Sequence, residues 1–221
     1  MQNFATPAAI VATLSVPAGR IRLIATDRTD TTVEVLPADP SSSRDKKTAE
    51  HTEVTYTDGV LSIEVPKSKG SVLGGAGSIQ VTVQLPTGSR VQAQAAAAEL
   101  TAVGRFGDID FQGAYREIKI DEAARLHLTA TDGDIEVSRL TGPARITTAR
   151  GDIRIVEALT GTVALTTQKG DISIAAATGV SASLDASTAY GRVGNSLQNN
   201  GTPALTIQAT TAYGDITARS L

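Results

Sequence analysis

Cysteine and tryptophan are absent from this chain of 221 residues, and aromatic residues make up only 3% of it. Without cysteine, disulfides, thiolate metal sites and cysteine nucleophiles are excluded. The absence of cysteine is compatible with both a reducing and an oxidising compartment. No apolar run approaches the ~18 residues of a membrane-spanning helix, and the N-terminus lacks the basic and apolar regions of a signal peptide. We therefore expect a soluble cytoplasmic protein with no transmembrane segment, extracellular only if a leader has been removed.

Groups that commonly carry catalysis or cofactors are also scarce. The only histidines are His51 and His127, and no nucleophile elbow, phosphate loop or dinucleotide fingerprint occurs. The net charge is −3, and the densest charged cluster, residues 44–47, mixes both signs. A nucleic-acid patch would need charges of one sign. We expect no enzymatic activity, no cofactor, no bound metal and no nucleic-acid partner.

The abundant residues favour β-structure. In residues 1–90 apolar and polar residues alternate with a period of two, which is typical of strands, and we expect irregular N-terminal strands over residues 1–100. A turn is predicted at Pro17–Gly19, and loops at Pro37–Glu50 and Pro66–Gly77. The strands predicted here are Ile10–Val16, Arg20–Thr26, Thr32–Leu36, Glu53–Thr57, Leu61–Val65 and Ile79–Leu85.

The alanine-rich stretch Val91–Leu100 could form a helix, because alanine is the best helix former. Its apolar residues also fit strand alternation, and a helix this short gains little from propensity alone. We interpret the stretch as a strand of small residues.

Residues 101–221 repeat a unit that reads Thr-x-x-x-Gly-Asp-Ile-x-Ile. Copies recur about every 17–23 residues, and repeats with such periods stack as supersecondary units. A degenerate copy begins at Arg116, and Gly191-Arg192 replaces Gly-Asp in another. The predicted turn row consists of Gly107, Asp108, Gly133, Asp134, Gly151, Asp152, Gly170, Asp171, Gly214 and Asp215.

We call the glycine of each predicted Gly-Asp turn a corner glycine. The apolar residues that flank it recur at constant distances along the sequence. Apolar residues recur two and four positions after it and five and seven before it, which predicts an inward face on each side of the corner. Second turns are expected at Leu140–Gly142 and Leu159–Gly161.

The pattern predicts an all-β fold, a β-solenoid of stacked coils about 4.8 Å apart, over a single domain of residues 1–221. We expect irregular strands of residues 1–36 and the C-terminal strand to cap the stack; a twice-antiparallel sandwich is the alternative.

With these repeats, the sequence resembles the DUF4097 family of β-strand-repeat proteins, often labelled "putative adhesins" and related to the toast-rack domains of bacterial envelope-stress proteins. The resemblance covers nearly the whole chain and is strongest to soluble actinobacterial members. It implies a solenoid-like fold and a non-enzymatic role, with no catalytic residues to carry over. The segments that carry it, beside the repeats, are Phe4–Pro7, Ala25–Asp30 and Thr210–Ile216.

The aspartate row has two interpretations. Stacked carboxylates could form a cation ladder, since Ca²⁺ prefers oxygen ligands. Alternatively, glycine supplies the unusual backbone angles of a turn while aspartate bonds nearby backbone N–H groups, which we favour. Like charges in neighbouring coils would repel unless they are staggered or paired with Arg150, Lys169 or Arg192.

A hydroxyl row lies four residues before each corner glycine. It could bind glycans or ordered water, or simply reflect β-propensity and cross-strand contacts between threonines. One threonine of each neighbouring pair should face inward. Two tyrosines before corner glycines, with Phe106, could form a partner-binding platform or a small apolar cluster. The candidate surface-binding residues are Thr129, Thr147, Thr166, Ser187, Thr210, Tyr190 and Tyr213.

Three functions remain open. The first is a binding or assembly scaffold for protein partners of unknown identity, which fits a long repetitive surface without a reactive centre; the resemblance suggests envelope-stress or regulatory complexes. Exposed strand edges could also support a homo-oligomer. The second is an adhesin-like binder of glycans or surfaces. The third is a carbohydrate-active enzyme on a β-helix, for which a dispersed row of carboxylates is a poor match.

Overall fold

The computed structural model describes residues 1–66, 77–113 and 117–221, and most of these residues lie in strands. Spatial contacts divide the chain into two compact units, Met1–Tyr115 and Arg116–Leu221. The prediction of a single domain stays a prediction. The all-β, solenoid-like fold class is confirmed.

The first unit is built around one long strand. Strand β2 pairs in parallel with β7 on one edge and with β5 and β6 on the other. Antiparallel strands extend the sheet, with β4 beside β5, β3 beside β6 and β1 beside β3. Its elements are β1 Gln2–Ala5, β2 Val11–Thr26, β3 Asp30–Pro37, α1 Ser43–Glu50, β4 Glu53–Thr57, β5 Val60–Glu64, β6 Ile79–Pro86 and β7 Arg90–Gln112.

Most strand predictions for this unit hold, and Val91–Leu100 is indeed part of a strand. The predicted turn at Pro17–Gly19 is wrong, because β2 runs through it. Gly19 has φ +126°, so the chain bends there without reversing. Strand β1 has no counterpart among the predicted strands. Residues 67–76 of the predicted loop Pro66–Gly77 lie outside the described residues.

The predicted loop Pro37–Glu50 contains helix α1, so that interpretation is wrong for its second half. The hydroxyl of Ser42 accepts a hydrogen bond from the backbone N–H of Asp45 at 3.2 Å. Such a cap satisfies a donor that the first helical turn otherwise leaves unpaired. Asp45 also supplies negative charge at the helix N-terminus, where it is stabilising. The charged cluster of residues 44–47 therefore belongs to a capped helix.

The second unit consists of strand pairs, one strand before and one after each corner. Its strands are β8 Ile118–Asp132, β9 Ile135–Leu140, β10 Ala144–Arg150, β11 Ile153–Ala158, β12 Gly161–Lys169, β13 Ile172–Ala176, β14 Ala182–Tyr190, β15 Val193–Ser196, β16 Leu205–Tyr213 and β17 Ile216–Ser220.

Equivalent strands of neighbouring coils pair in parallel, with equivalent residues in register. Ile146, for example, lies between Leu128 and Leu165, and Ile153 between Ile135 and Ile172. Parallel pairing of like with like identifies a solenoid, whereas a sandwich of hairpins would pair its strands antiparallel. The in-register apolar residues form the core, and Ile153 is 0% exposed.

The coils do not stack in chain order. We call β14 with β15 (182–196) the end coil, and β16 with β17 (205–220) the interposed coil. Strand β16 pairs with β12 on one side and β14 on the other, and β17 pairs likewise with β13 and β15. The last repeat of the sequence therefore lies between the two repeats that precede it in the chain. The expectation that the C-terminal strand caps the stack is wrong, because the end coil occupies that position.

Candidate interaction surface

The corner aspartates form a ladder of hydrogen bonds between coils. The Oδ1 atom of Asp134 accepts from the backbone N–H of Asp152 at 2.9 Å, and Asp152 accepts from Asp171 at 2.7 Å. Asp171 then accepts from Asp215 at 2.7 Å, across the interposition. Each carboxylate thus satisfies a backbone donor of the next coil in space, which stabilises the stack at its corners.

The corner glycines are required by close approach of the backbones. Gly170 has φ +151°, and a Cβ built there would lie 2.1 Å from the carbonyl oxygen of Gly151. At Gly214 a Cβ would lie equally close, at 2.1 Å, to the carbonyl oxygen of Gly170. Any side chain at these positions would push neighbouring coils apart.

Arg192 ends the ladder at the end coil. Its backbone N–H donates to Oδ1 of Asp215 at 2.8 Å, and its guanidinium donates to Oδ2 at 3.2 Å. That backbone hydrogen bond, followed by the guanidinium, lowers the pKa of the Asp215 carboxyl below its usual value. Arg192 occupies the aspartate position of the end coil. No described coil lies beyond it, so a carboxylate here would find no backbone N–H of a further coil to accept from.

The other members of the turn row have different surroundings. Asp108 lies in the first unit, where its carboxylate is 3.9 Å from the guanidinium of Arg90. Glu117 occupies the aspartate position of the degenerate copy and pairs with Lys119 at 2.9 Å, while Arg116 lies outside the described residues. Arg150, expected as a partner of the row, instead pairs with Asp132 at 3.1 Å.

The structure offers no multidentate metal centre among its described residues, since no group of three or more His, Asp or Glu side chains could hold an ion there. Of the histidines, His51 ends helix α1 with Nδ1 2.6 Å from the carbonyl oxygen of Lys47. His127 is exposed on β8, beside Arg145 of β10. The two histidines therefore lie in different units.

One threonine of each pair faces inward, as expected, and hydrogen-bonds to a corner. Thr148, Thr167 and Thr211 are buried. The hydroxyl of Thr211 donates to the carbonyl oxygen of Gly170 at 3.0 Å, and that of Thr167 to the carbonyl of Gly151 at 3.2 Å. These bonds add a second line of contacts between coils.

The outward hydroxyls form one continuous row. Each member is exposed and lies in register with its neighbours in the adjoining coils. In spatial order the row is Thr129, Thr147, Thr166, Thr210 and Ser187. Neighbours are one strand spacing apart, about 4.8 Å, so the hydroxyls form a regular polar line. Binding of a ligand by this line of hydroxyls stays a prediction.

The residues directly before the corner glycines form a second row, which is exposed except at half-buried Asp132. From the first coil to the last it contains Asp132, Arg150, Lys169, Tyr213 and Tyr190 in register. The two tyrosine rings stack with centroids 4.9 Å apart and planes 4° from parallel. Tyr213 is 56% exposed and Tyr190 is 68% exposed. Phe106, grouped with them from the sequence, is a buried residue of the first unit.

The end coil leaves part of the core open. Strands β14 and β15 pair only with β16 and β17 among the described residues. Val193 is 47% exposed, whereas the equivalent Ile172 and Ile216 are at most 1% exposed. An unpaired edge with exposed apolar side chains is the kind of surface that other strands recognise. The tyrosine pair lies at one corner of this open end.

A polar groove on the first unit was missed by sequence reasoning. It has a volume of about 460 Å³ and is lined by β2, β5 and β7. Ser62, Thr13 and Gln92 lie across its strands in register, as do Glu64, Ser15 and Gln94. Asp110, Gln112 and the apolar residues Leu14, Ile63 and Ala93 complete the lining. Alternation could have shown that each polar side chain points outward, but not that three separate segments meet there.

No described helix is sufficiently long and apolar to cross a membrane.

The parallel, in-register coils with glycine and aspartate at the corners define a β-solenoid repeat protein.

The sequence profile of the family described as Toastrack DUF4097 matches residues 13–220. The chain therefore belongs to this family.

Several solved structures are similar over nearly their whole lengths. A "putative adhesin" from Bacteroides fragilis is 13% identical, with 98% of this chain and 95% of that chain covered and a TM-score of 0.44. A "putative lipid binding protein" from Parabacteroides distasonis is 11% identical, with the same coverages, 98% and 95%, and a TM-score of 0.43. A "putative cell adhesion protein" from Clostridium sporogenes is 9% identical, with 100% and 98% covered and a TM-score of 0.33. No curated protein matches the chain.

Proposed function

We propose that this protein is a non-enzymatic binding scaffold that docks an extended segment of a protein partner along the outer edge of the end coil. The observation that carries the proposal is the open core at this edge. Val193 is 47% exposed at a position where the equivalent residues of the inner coils are buried. A docked strand would cover Val193 and satisfy the outer backbone groups of β14 and β15.

The open edge also offers an aromatic anchor and a charge. Tyr190 is 68% exposed and rests on Tyr213, and ordered aromatic rings often dominate the energy of protein interfaces. The side chain of Arg192 is 89% exposed. In the inner coils this corner carries a carboxylate, so a docked segment would meet a guanidinium instead. We therefore expect the partner segment to carry an acidic residue at this register.

The test is capture of a partner from native lysate by the intact chain and by two exposed variants. Val193→Asp places a charge in the open edge, and Thr147→Asp places the same charge on the outward hydroxyl row. The proposal expects a partner that the wild-type chain and Thr147→Asp retain and that Val193→Asp loses. Failure to capture any specific partner, or equal capture by all three chains, overturns it.

Glycan binding is a second candidate function, favoured by the polar groove on the first unit. Its outward side chains are hydroxyls, amides and carboxylates, which are suited to hydrogen-bonding a saccharide. Binding to a panel of immobilised glycans should be lost in Gln92→Ala with Gln94→Ala, and retained in Thr129→Ala with Thr147→Ala. If only the second pair loses binding, the ligand lies on the hydroxyl row. No bound glycan at all rejects this candidate.

A further inference from the structure

The interposed coil is paired on both sides by strands that precede it in the chain. Strand β16 lies between β12 and β14, with Thr210 in register with Thr166 on one side and Ser187 on the other. Leu205, Ile207 and Ile216 are 0% exposed. The coil therefore fills a slot whose two walls are already joined to one another through residues 177–181.

The two sides of the slot, β12 with β13 and β14 with β15, are connected by strand pairing only through the interposed coil. Strands β14 and β15 pair only with it within the described part of the chain. The slot is specific for a coil of this repeat, because Asp171 accepts the N–H of Asp215 on one side and Asp215 accepts that of Arg192 on the other. A second copy of the chain carries the one segment known to satisfy all of these contacts.

Residues 197–204 connect the end coil to the interposed coil. Apart from half-buried Leu197, this segment is exposed and without strand structure. Hydrogen bonds tie it to the coils at several points. They run from the N–H of Gln198 to the hydroxyl of Ser220 at 2.9 Å, from the N–H of Asn200 to the hydroxyl of Ser181 at 3.1 Å and from the N–H of Ala204 to the carbonyl oxygen of Ser181 at 2.9 Å. The carbonyl oxygens of Gln198 and Ala204 also accept from the N–H groups of Ala182 and Gly161. Once the pairings of the interposed coil open, straightening this segment would let the coil reach a second copy, while the pairings among β8–β13 stay intact.

We propose that two copies of this chain associate by exchanging the interposed coil, with residues 197–204 as the hinge. In the exchanged dimer each slot is filled by the coil of the other copy. Every strand pairing, ladder bond and buried side chain of the coil is retained. The two forms then differ mainly in the hinge conformation and the entropy of association, so exchange is an inexpensive route to a dimer. Its population should rise with protein concentration.

The absence of cysteine allows a direct test with engineered thiols. Thr166 and Thr210 are exposed, in-register partners on β12 and β16, and neighbouring strands lie within the Cα separation that a disulfide tolerates. Full-length Thr166→Cys and Thr210→Cys chains are mixed, unfolded in denaturant, refolded together at increasing concentration and then oxidised. Exchange joins the two different chains through a disulfide, with a yield that rises with concentration.

The matched control is a mixture of Thr129→Cys and Thr147→Cys chains. Thr129 and Thr147 are also exposed, in-register partners, but both lie in coils that stay with their own chain during exchange. This mixture should give only the background of random surface cross-links. The same background in both mixtures at the highest concentration overturns the proposal.

A second measurement uses the unmodified chain. After refolding at high concentration, light scattering should detect a dimer that persists on dilution, because return to the monomer requires the hinge to open again. The doubly substituted Thr166→Cys, Thr210→Cys monomer, oxidised before unfolding and kept oxidised, should refold as a monomer. Dimerisation of this locked chain to the same extent as the reduced one would show association without exchange, and so would also overturn the proposal.

Discussion

The carboxylate of Asp152 accepts a hydrogen bond of 2.7 Å from the backbone N–H of Asp171, one coil further along the stack. The two residues are equivalent in sequence, and Asp152, Asp171 and Asp215 each donate through the backbone and accept through the side chain. Repetition of this relationship turns a row of like charges into a stabilising ladder. Each ladder bond uses the Oδ1 atom of a carboxylate, so a cation bound at that atom would share it with a backbone N–H group.

Removal of one carboxylate should weaken the ladder locally. We expect Asp152→Ala to lower the free energy of unfolding by about 1.5 kcal/mol, the lower end of the range for hydrogen bonds to charged groups, because the bond is exposed to solvent. Denaturant unfolding monitored by circular dichroism measures the change. Asp185→Ala, at an exposed position outside the ladder, should cost much less. Equal effects of the two substitutions would show that the ladder bond contributes little.

The same ladder can be tested as a cation site. If the carboxylates serve the backbone, millimolar Ca²⁺ should leave the melting temperature of the wild-type chain unchanged. A Ca²⁺-dependent increase that Asp152→Ala and Asp171→Ala both abolish would instead support a cation ladder. Thermal unfolding with and without chelator distinguishes these results.

Steric crowding at the corners predicts a strong effect of a single methyl group. Gly170→Ala should cost several kcal/mol, because its Cβ would lie 2.1 Å from a backbone oxygen that cannot move without separating two coils. Gly179 is the matched control: it has φ +78°, but nothing lies within 4 Å of the position that a Cβ would take. Gly179→Ala should cost only about 1 kcal/mol of backbone strain. Similar losses in urea unfolding would mean that backbone strain alone explains both.

A charge placed on the inward face should unfold the repeat region. Ile153 is 0% exposed, so Ile153→Asp would bury an unpaired carboxylate, one of the most destabilising changes known in protein cores. Ile153→Val, which removes only a methylene group, should cost about 0.5–1.5 kcal/mol. Melting temperatures provide the comparison. A wild-type melting temperature for Ile153→Asp would contradict the assigned inward face.

Asp215 should make part of the stability depend on pH. Its folded pKa is lowered, first by the backbone N–H of Arg192 and then by its guanidinium. The folded state therefore binds this proton less readily than the unfolded state. The stabilisation is present above the unfolded pKa, about 4, and is lost as pH falls through the folded value. Unfolding measured across the acid range should show a smaller acid-induced loss for Asp215→Asn. An unchanged acid profile would rule out this contribution.

The sequence by itself determined which residues are equivalent. Glycine recurs in constant phase because the corner backbones approach too closely for a side chain, and the inward positions recur because strands alternate. Those constraints are local or identical in every coil, so they fix the solenoid class, the inward isoleucines and the outward hydroxyl row. Helix α1 also has a local signal in the sequence, the serine–aspartate cap formed by Ser42 and Asp45.

Only the tertiary structure decided which coil lies beside which. A repeat that pairs with any other copy in register does not specify the order of stacking, and the connections 177–181 and 197–204 permit the last copy to enter between two earlier ones. That order determines the acceptor of each ladder bond, the place of Arg192 at the end of the row and the exposure of Val193. Tertiary structure also brings separate segments together in the polar groove of the first unit. The repeat thus specifies the coil, while the path of the chain between coils specifies the surface available for binding.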